Sequence, residues 1–238
     1  MRRRALCIAV LVWASAGVAG AQQADGKVYT PGPFDGVEIS GSATIDFVQG
    51  TTDQVVVQGG EDAQRAVTLA VRGGMLRIDP AGSWKFWDPS RARIQVSARE
   101  LKRVSISGAA NFQATGPVRA GALTITISGA GLARFDQLET ESLDFRVSGS
   151  GDGQLAGSAR DLHVRISGRS DFRGEELKSE HAVVSISGVG DVKVWATQDL
   201  AASVAGVGRI DYWGAPLVRR SVSGAATITD RGAKVKSP

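Results

Sequence analysis

Three aspartates at equal positions of a repeating sequence are the first candidates for a binding site. Asp152, Asp171 and Asp191 each stand three residues after a glycine that recurs along the chain. If the repeats stack, the carboxylates lie about 5 Å apart and repel by roughly 1 to 3 kcal/mol per neighbour. A bound calcium ion would relieve that repulsion. Turn capping is the alternative, because other repeats hold Thr or Asn at this offset. Both interpretations stay open, and we assign no metal ligand.

Tryptophans are the second set of candidates. Trp195 and Trp213 share one offset on consecutive repeats, which predicts outward-facing indoles on neighbouring strands. Trp84 and Trp87 cluster in a long loop. Indoles on a surface bind glycans or protein partners, but they also pack over the end or edge of a sheet. We take these four tryptophans as the candidate binding residues.

The serines, histidines and glycines do not predict catalysis. Seven repeats carry Ser before the glycine, and so many equal copies favour a hydrogen-bonded column over one activated nucleophile. His163 and His181 are the only histidines and fall at different offsets. The Gly-x-Gly pairs lack the third glycine of a dinucleotide-binding loop and precede strands. We therefore predict a protein without enzymatic activity, metal site or cofactor.

A period of about 20 residues organises most of the chain. Each unit contains three consecutive residues: a β-branched residue, then usually Ser, and then Gly. We call this last residue the corner glycine, and successive corner glycines are 18 to 21 residues apart from Gly108 onward. The corner glycines are Gly41, Gly108, Gly129, Gly149, Gly168, Gly188, Gly206 and Gly224. Such a period is typical of solenoids, whose units must stack on one another to bury their apolar faces.

Apolar and polar residues alternate on both sides of the corner glycine. Ile127, Val147, Ile166 and Ile186 all stand two residues before it, and apolar residues recur four and six residues before it. The second residue after it is always small, which indicates a close backbone approach. This period of two predicts strands with one buried face. We expect an all-β, right-handed parallel β-helix, since a propeller blade needs about twice this repeat length.

The interval between Gly41 and Gly108 is less regular. Strand-like segments occur at 54–58, 67–71, 75–79 and 94–97, and a longer loop spans 80–93. We expect wider coils or hairpins there that cap one end of the solenoid.

The first residues predict export. Arg2–Arg4 precede an apolar run and the small residues Ala19–Ala21, as in a signal peptide. We divide the chain into a signal peptide (1–21), a linker (22–32) and one β-solenoid domain (33–238). The single cysteine, Cys7, falls in the signal peptide, and the remaining charge is +1. This near-neutral balance gives no reason to expect nucleic-acid binding, and no later stretch is long and apolar enough to span a membrane.

The sequence resembles a bacterial family described as putative auto-transporter adhesin, head GIN domain, a domain of unknown function. The resemblance rests on the Ile-Ser-Gly repeat, on the opening Phe34–Gly41 and on the segment Gly208–Pro216, and it covers residues 33 to 232. It implies an exported β-helix domain at the cell envelope, periplasmic or at the surface. The family brings no catalytic residues to this chain.

Three functions therefore stay open. The leading one is an adhesin-like module that binds a glycan or an envelope protein without catalysis. A polysaccharide-degrading β-helix enzyme would use the three aspartates with Arg209 or Lys193. A purely structural envelope protein is the third, and self-association into a homo-oligomer is an open alternative for each.

Overall fold

The chain forms a parallel β-solenoid of about six turns with about 20 residues per turn, as the repeat predicts. The computed structural model describes residues 26–81 and 93–234. The elements in chain order are β1 (Gly26–Tyr29), β2 (Gly36–Ile39), β3 (Thr44–Gln49), β4 (Gln54–Gln58), α1 (Glu61–Arg65), β5 (Val67–Arg72), β6 (Met75–Pro80), β7 (Arg93–Ala98), β8 (Arg103–Ile106), β9 (Asn111–Ile127), β10 (Leu132–Val147), β11 (Asp152–Ile166), β12 (Arg169–Ile186), β13 (Val189–Val204), β14 (Val207–Trp213), β15 (Leu217–Val222) and β16 (Ala225–Asp230). The predicted signal peptide lies outside the described residues.

Equal offsets of successive repeats lie in register. Val147 pairs with Ile127 on one side and with Ile166 on the other, and Ile166 pairs with Ile186. These side chains are at most 2% exposed. Burying each of them contributes about 1.5 to 3 kcal/mol, so this column is a large part of the core. The predicted stacking is therefore confirmed.

From Gly108 onward, the corner glycines are required by backbone contact between coils. A Cβ atom on Gly149 would lie 2.2 Å from the carbonyl oxygen of Gly129, and one on Gly168 would lie 1.9 Å from that of Gly149. The small residue two positions later meets both backbone and side chains. A Cβ on Gly131 would lie 2.6 Å from the carbonyl oxygen of Ala110, and one on Gly151 would lie 2.4 Å from Cγ2 of Ile127, a side chain of the preceding coil. The expected close backbone approach is therefore present, and a β-branched side chain also fills the space.

The coils of the N-terminal region do not stack in chain order. Strand β2 lies between β6 and β8. The coil of β6 and β7 therefore stacks on the side of the β2–β3 coil that faces away from β8 and β9, although it follows the β2–β3 coil in sequence. The predicted strands of this region are all present, and β5 and β6 form a hairpin around Gly73 and Gly74. Both glycines have positive φ, as a two-residue hairpin turn requires.

The two ends of the solenoid differ. At the N-terminal end, β4 pairs antiparallel with β7, β1 pairs antiparallel with β4, and β5 covers β6. The predicted cap is thus formed by antiparallel strands. At the other end, β15 pairs with β13 and β16 with β14. In the described part of the chain, no strand covers the outer edges of β15 and β16.

Candidate interaction surface at Trp195 and Trp213

Strands β13 and β14 place the two tryptophans side by side. Trp195 pairs in register with Trp213, so both indoles project from the same outward column on adjacent coils, as predicted. Their inward neighbours Val194 and Tyr212 are buried in the core, which fixes the direction of the indoles. Both tryptophans are half-buried. The strand register therefore builds an aromatic pair on the side of the solenoid.

Lys234 covers this pair. Its ammonium nitrogen lies 5.5 Å from the ring centre of Trp195 and 5.6 Å from that of Trp213. A cation at such a distance from an indole is attracted by the electrons of the ring face. The segment that carries Lys234 is held by backbone hydrogen bonds: the N–H of Arg231 donates to Tyr212, and the N–H of Gly214 donates to Gly232.

Two glutamates complete the surroundings of the ammonium group. Strand β12 shifts register against β13 between Gly174 and Lys178, and this irregularity places Glu175 and Glu176 beside Trp195. Lys234 donates to the backbone carbonyl of Glu175, and its Nζ lies 2.6 Å from Oε1 of Glu176. Oε2 of Glu175 is buried and has no hydrogen-bond partner among the described residues. The site is thus two indoles, one carboxylate and one backbone carbonyl around one cation.

No pattern in the sequence pointed to Lys234 or Glu176. Glu176 precedes Lys234 by 58 residues, and neither belongs to a repeated column of one residue type. Trp84 and Trp87, the other two predicted binding residues, lie outside the described residues. Of the predicted set, the structure brings together Trp195 and Trp213.

A groove of charged side chains continues from the tryptophans along the solenoid. Lys178 pairs in register with Trp195, Ser158 with Lys178, and Glu139 with Ser158. The groove has a volume of about 610 Å³. Its charges are partly paired, since Nε of Arg119 lies 2.9 Å from Oε2 of Glu139. The same side of the molecule therefore offers aromatic and ionic contacts.

The acidic column is in register but is not an assembled metal site. Asp171 pairs with Asp191, and Asp191 with Arg209. Oδ1 of Asp152 accepts a hydrogen bond of 2.9 Å from the backbone N–H of Asp171, and Oδ2 of Asp191 lies 3.4 Å from Arg209. No group of three His, Cys, Asp or Glu side chains in residues 26–81 and 93–234 could hold a metal ion. Asp152 thus caps the backbone of the next coil rather than its own turn.

Serine hydroxyls link adjacent coils. The hydroxyls of Ser107 and Ser167 each donate 3.2 Å hydrogen bonds to carbonyls of Ile39 and Val147. At these two positions the predicted serine column is therefore bonded to the backbone of the neighbouring coil. His181 contacts Asp199, with 2.9 Å between Nδ1 and Oδ2.

Asp144 is the centre of an ion cluster on another side of the solenoid. Hydrogen bonds from Arg146 lower the pKa of Asp144, burial opposes that shift, and the charges of Arg146 and Arg165 lower it further. The net effect is a pKa below the usual 3.8. Arg165 belongs to the next coil, and its Nη1 lies 2.9 Å from Oδ1 of Asp144, so the cluster ties two coils together.

The family model for the putative auto-transporter adhesin, head GIN domain, matches residues 33–216. The chain belongs to this family. Solved structures share its fold at low sequence identity. A putative adhesin from Bacteroides fragilis is 23% identical with a TM-score of 0.82, and the match covers 86% of this chain and 95% of that one.

Two further structures come from Parabacteroides. A putative lipid binding protein from Parabacteroides distasonis is 20% identical with a TM-score of 0.68, covering 87% of this chain and 96% of that one. A putative adhesin from Parabacteroides merdae is 20% identical with a TM-score of 0.69, covering 86% and 95%. No curated protein matches the sequence. In residues 26–81 and 93–234, no helix has the length and apolar character needed to cross a membrane.

Proposed function

We propose that this head GIN domain is an exported, adhesin-like binding module of the bacterial cell envelope that acts without catalysis. Its partner is a glycan or a protein, and Trp195 and Trp213 are the anchors of the binding surface. The observation that carries this proposal is the pair of indoles held in register on the side of a rigid stack. Large aromatic side chains at the centre of a surface contribute a large share of binding energy. Membership of an adhesin-like family supports the same function.

The partners of the acidic column argue for binding over polysaccharide cleavage. A cleavage site would need the carboxylates of Asp152, Asp171 and Asp191 to share a cation beside a free base. Asp152 is engaged by a backbone N–H and Asp191 by Arg209. We infer that these aspartates stabilise the coils. Export by the predicted signal peptide, and a periplasmic or surface location, are part of the same proposal.

A binding comparison on a glycan array and on isolated bacterial envelopes tests the proposal. We expect the purified protein to bind, and the W195A/W213A variant to bind at least about tenfold more weakly because the anchors are lost. Tyr29→Ala is the matched control, since Tyr29 is an aromatic residue at the other end that also has a lysine, Lys27, 5.0 Å from its ring centre. Unchanged binding by the tryptophan variant, with its fold intact by circular dichroism, would exclude this surface.

A further inference from the structure

Lys234 is an unusually enclosed lysine. Its side chain is 16% exposed, whereas lysines in proteins are mostly exposed to water. Enclosing an ammonium group is unfavourable unless other groups replace its water. Here the faces of Trp195 and Trp213, the carboxylate of Glu176 and the carbonyl of Glu175 do so. These four groups surround the ammonium group of Lys234.

The contacts also specify which cation. Two of the four groups are hydrogen-bond acceptors, and Lys234 donates N–H groups to both. A quaternary ammonium has no N–H and would satisfy only the indole faces. The arrangement therefore favours a primary ammonium group on an alkyl chain.

Glu175 has more acceptor capacity than Lys234 uses. Oε2 of Glu175 is buried without a hydrogen-bond partner among the described residues. A buried, unsatisfied carboxylate oxygen is unfavourable, and an additional N–H donor at this point would satisfy it. Lys178 is in register with Trp195, and its positive charge disfavours the binding of a second cation beside Lys234. This oxygen belongs to the residue whose backbone carbonyl already accepts a hydrogen bond from Lys234.

We propose that Trp195, Trp213, Glu175 and Glu176 form a binding site for a lysine side chain of a protein partner, and that Lys234 occupies this site within the chain until the partner's lysine replaces it. This deepens the proposed function and rests on it. The lysine identity follows from the occupant present, whose alkyl chain and N–H donors fit the site. The segment 231–234 is joined to β14 by two backbone hydrogen bonds and by the ion pair of Arg231 with Asp211, and these can stay in place while the Lys234 side chain leaves.

Lys234 should compete with an external lysine for the site and so weaken its binding. A group held nearby by a short segment acts at an effective concentration in the millimolar range, which weakens the apparent affinity of an external competitor. Removing Lys234 should therefore expose the site. We expect Nα-acetyl-lysine methylamide to bind the K234A variant at least about tenfold more tightly than the wild type, measured by calorimetry.

The indole N–H resonances of Trp195 and Trp213 should shift in the same titration. Adding W195A and W213A to K234A should abolish binding, whereas Lys193→Ala, which removes a lysine of the same strand, should leave the wild-type affinity unchanged.

Tetramethylammonium should bind K234A at least about tenfold more weakly than the lysine probe. Lys234→Gln serves as a second variant that removes the charge and is only one atom shorter, and circular dichroism checks that each variant folds.

Equal affinity of wild type, K234A and K234Q for the lysine probe would overturn the proposal. Tighter binding of ethanolamine or glucosamine than of the lysine probe would overturn the assignment to a protein partner and would point to a lipid headgroup or an amino sugar. These outcomes are separate from the proposed function. A protein that binds the lysine probe but neither glycans nor envelopes would refute adhesion while leaving the ammonium site in place.

Discussion

At Gly149 the stack has no space for a methyl group. Its Cβ would lie 2.2 Å from the carbonyl oxygen of Gly129, and a backbone atom cannot swing away as a side chain can. We expect Gly149→Ala to lower the free energy of unfolding by about 3 kcal/mol or more, measured by urea denaturation. Gly116→Ala is the control, since no atom lies within 4 Å of a Cβ there, and it should change stability by less than about 0.5 kcal/mol. Equal effects would contradict the account of the corner.

Asp144 should make stability depend on pH in the acid range. Its pKa in the folded protein is lowered, first by hydrogen bonds from Arg146, below a value of about 3.9 in the unfolded chain. The stabilisation is therefore complete above the unfolded pKa and is lost as the pH falls through the folded pKa. Asp144→Asn should be less stable than the wild type at pH 7, and the two should converge toward pH 2.

Thermal unfolding between pH 7 and pH 2 measures this convergence. Asp62→Asn, on the exposed face of α1, is the control and should stay within about 0.5 kcal/mol of the wild type throughout. A difference between Asp144→Asn and wild type that does not change with pH would show that Asp144 stabilises through packing rather than charge.

Among the elements, β4 protects the N-terminal end. It pairs with β7 on one side and with β1 on the other, so each of its N–H groups faces a neighbouring strand. Val56→Pro removes one of these donors from the middle of β4. Because each coil of a solenoid contacts mainly its neighbours, we expect faster hydrogen exchange in β7 and β3 and little change in β12 and β13. A uniform increase along the chain would show that the stack unfolds as one unit.

Within residues 26–81 and 93–234, one end of the molecule is capped and the other has open strand edges. The last coil carries a charged residue at a position where earlier coils are apolar. Arg220 pairs in register with Ala202, which pairs with Val184, and these earlier side chains point inward. Nη2 of Arg220 lies 3.3 Å from the hydroxyl of Tyr212. A charged residue at an interior position of an edge opposes stacking of a second molecule. The last coil is therefore built to discourage end-to-end association.

Arg220→Leu should raise self-association relative to the wild type, because it completes the apolar column at an open end. Sedimentation velocity at increasing protein concentration measures this. Arg219→Leu is the matched control: it removes the same charge from a neighbouring outward side chain that is 80% exposed. If both variants sediment like the wild type, Arg220 does not act as a barrier.

The sequence by itself determined the solenoid, because one period of 20 residues repeats the inward and outward positions in every coil. Ile127, Val147 and Ile166 could be placed in one column, and Trp195 beside Trp213, from offsets alone. The order of the N-terminal coils could not be derived in this way, since β2 and β6 are neighbours that no shared repeat predicts.

Only the tertiary structure decided what surrounds the two indoles. Lys234 reaches them because the segment after β16 continues alongside β14, and Glu176 reaches Lys234 because β12 shifts its register against β13. Local alternation of apolar and polar residues encodes which face of a strand is buried. It carries no information about contacts between residues 58 positions apart, which depend on the path of the folded chain.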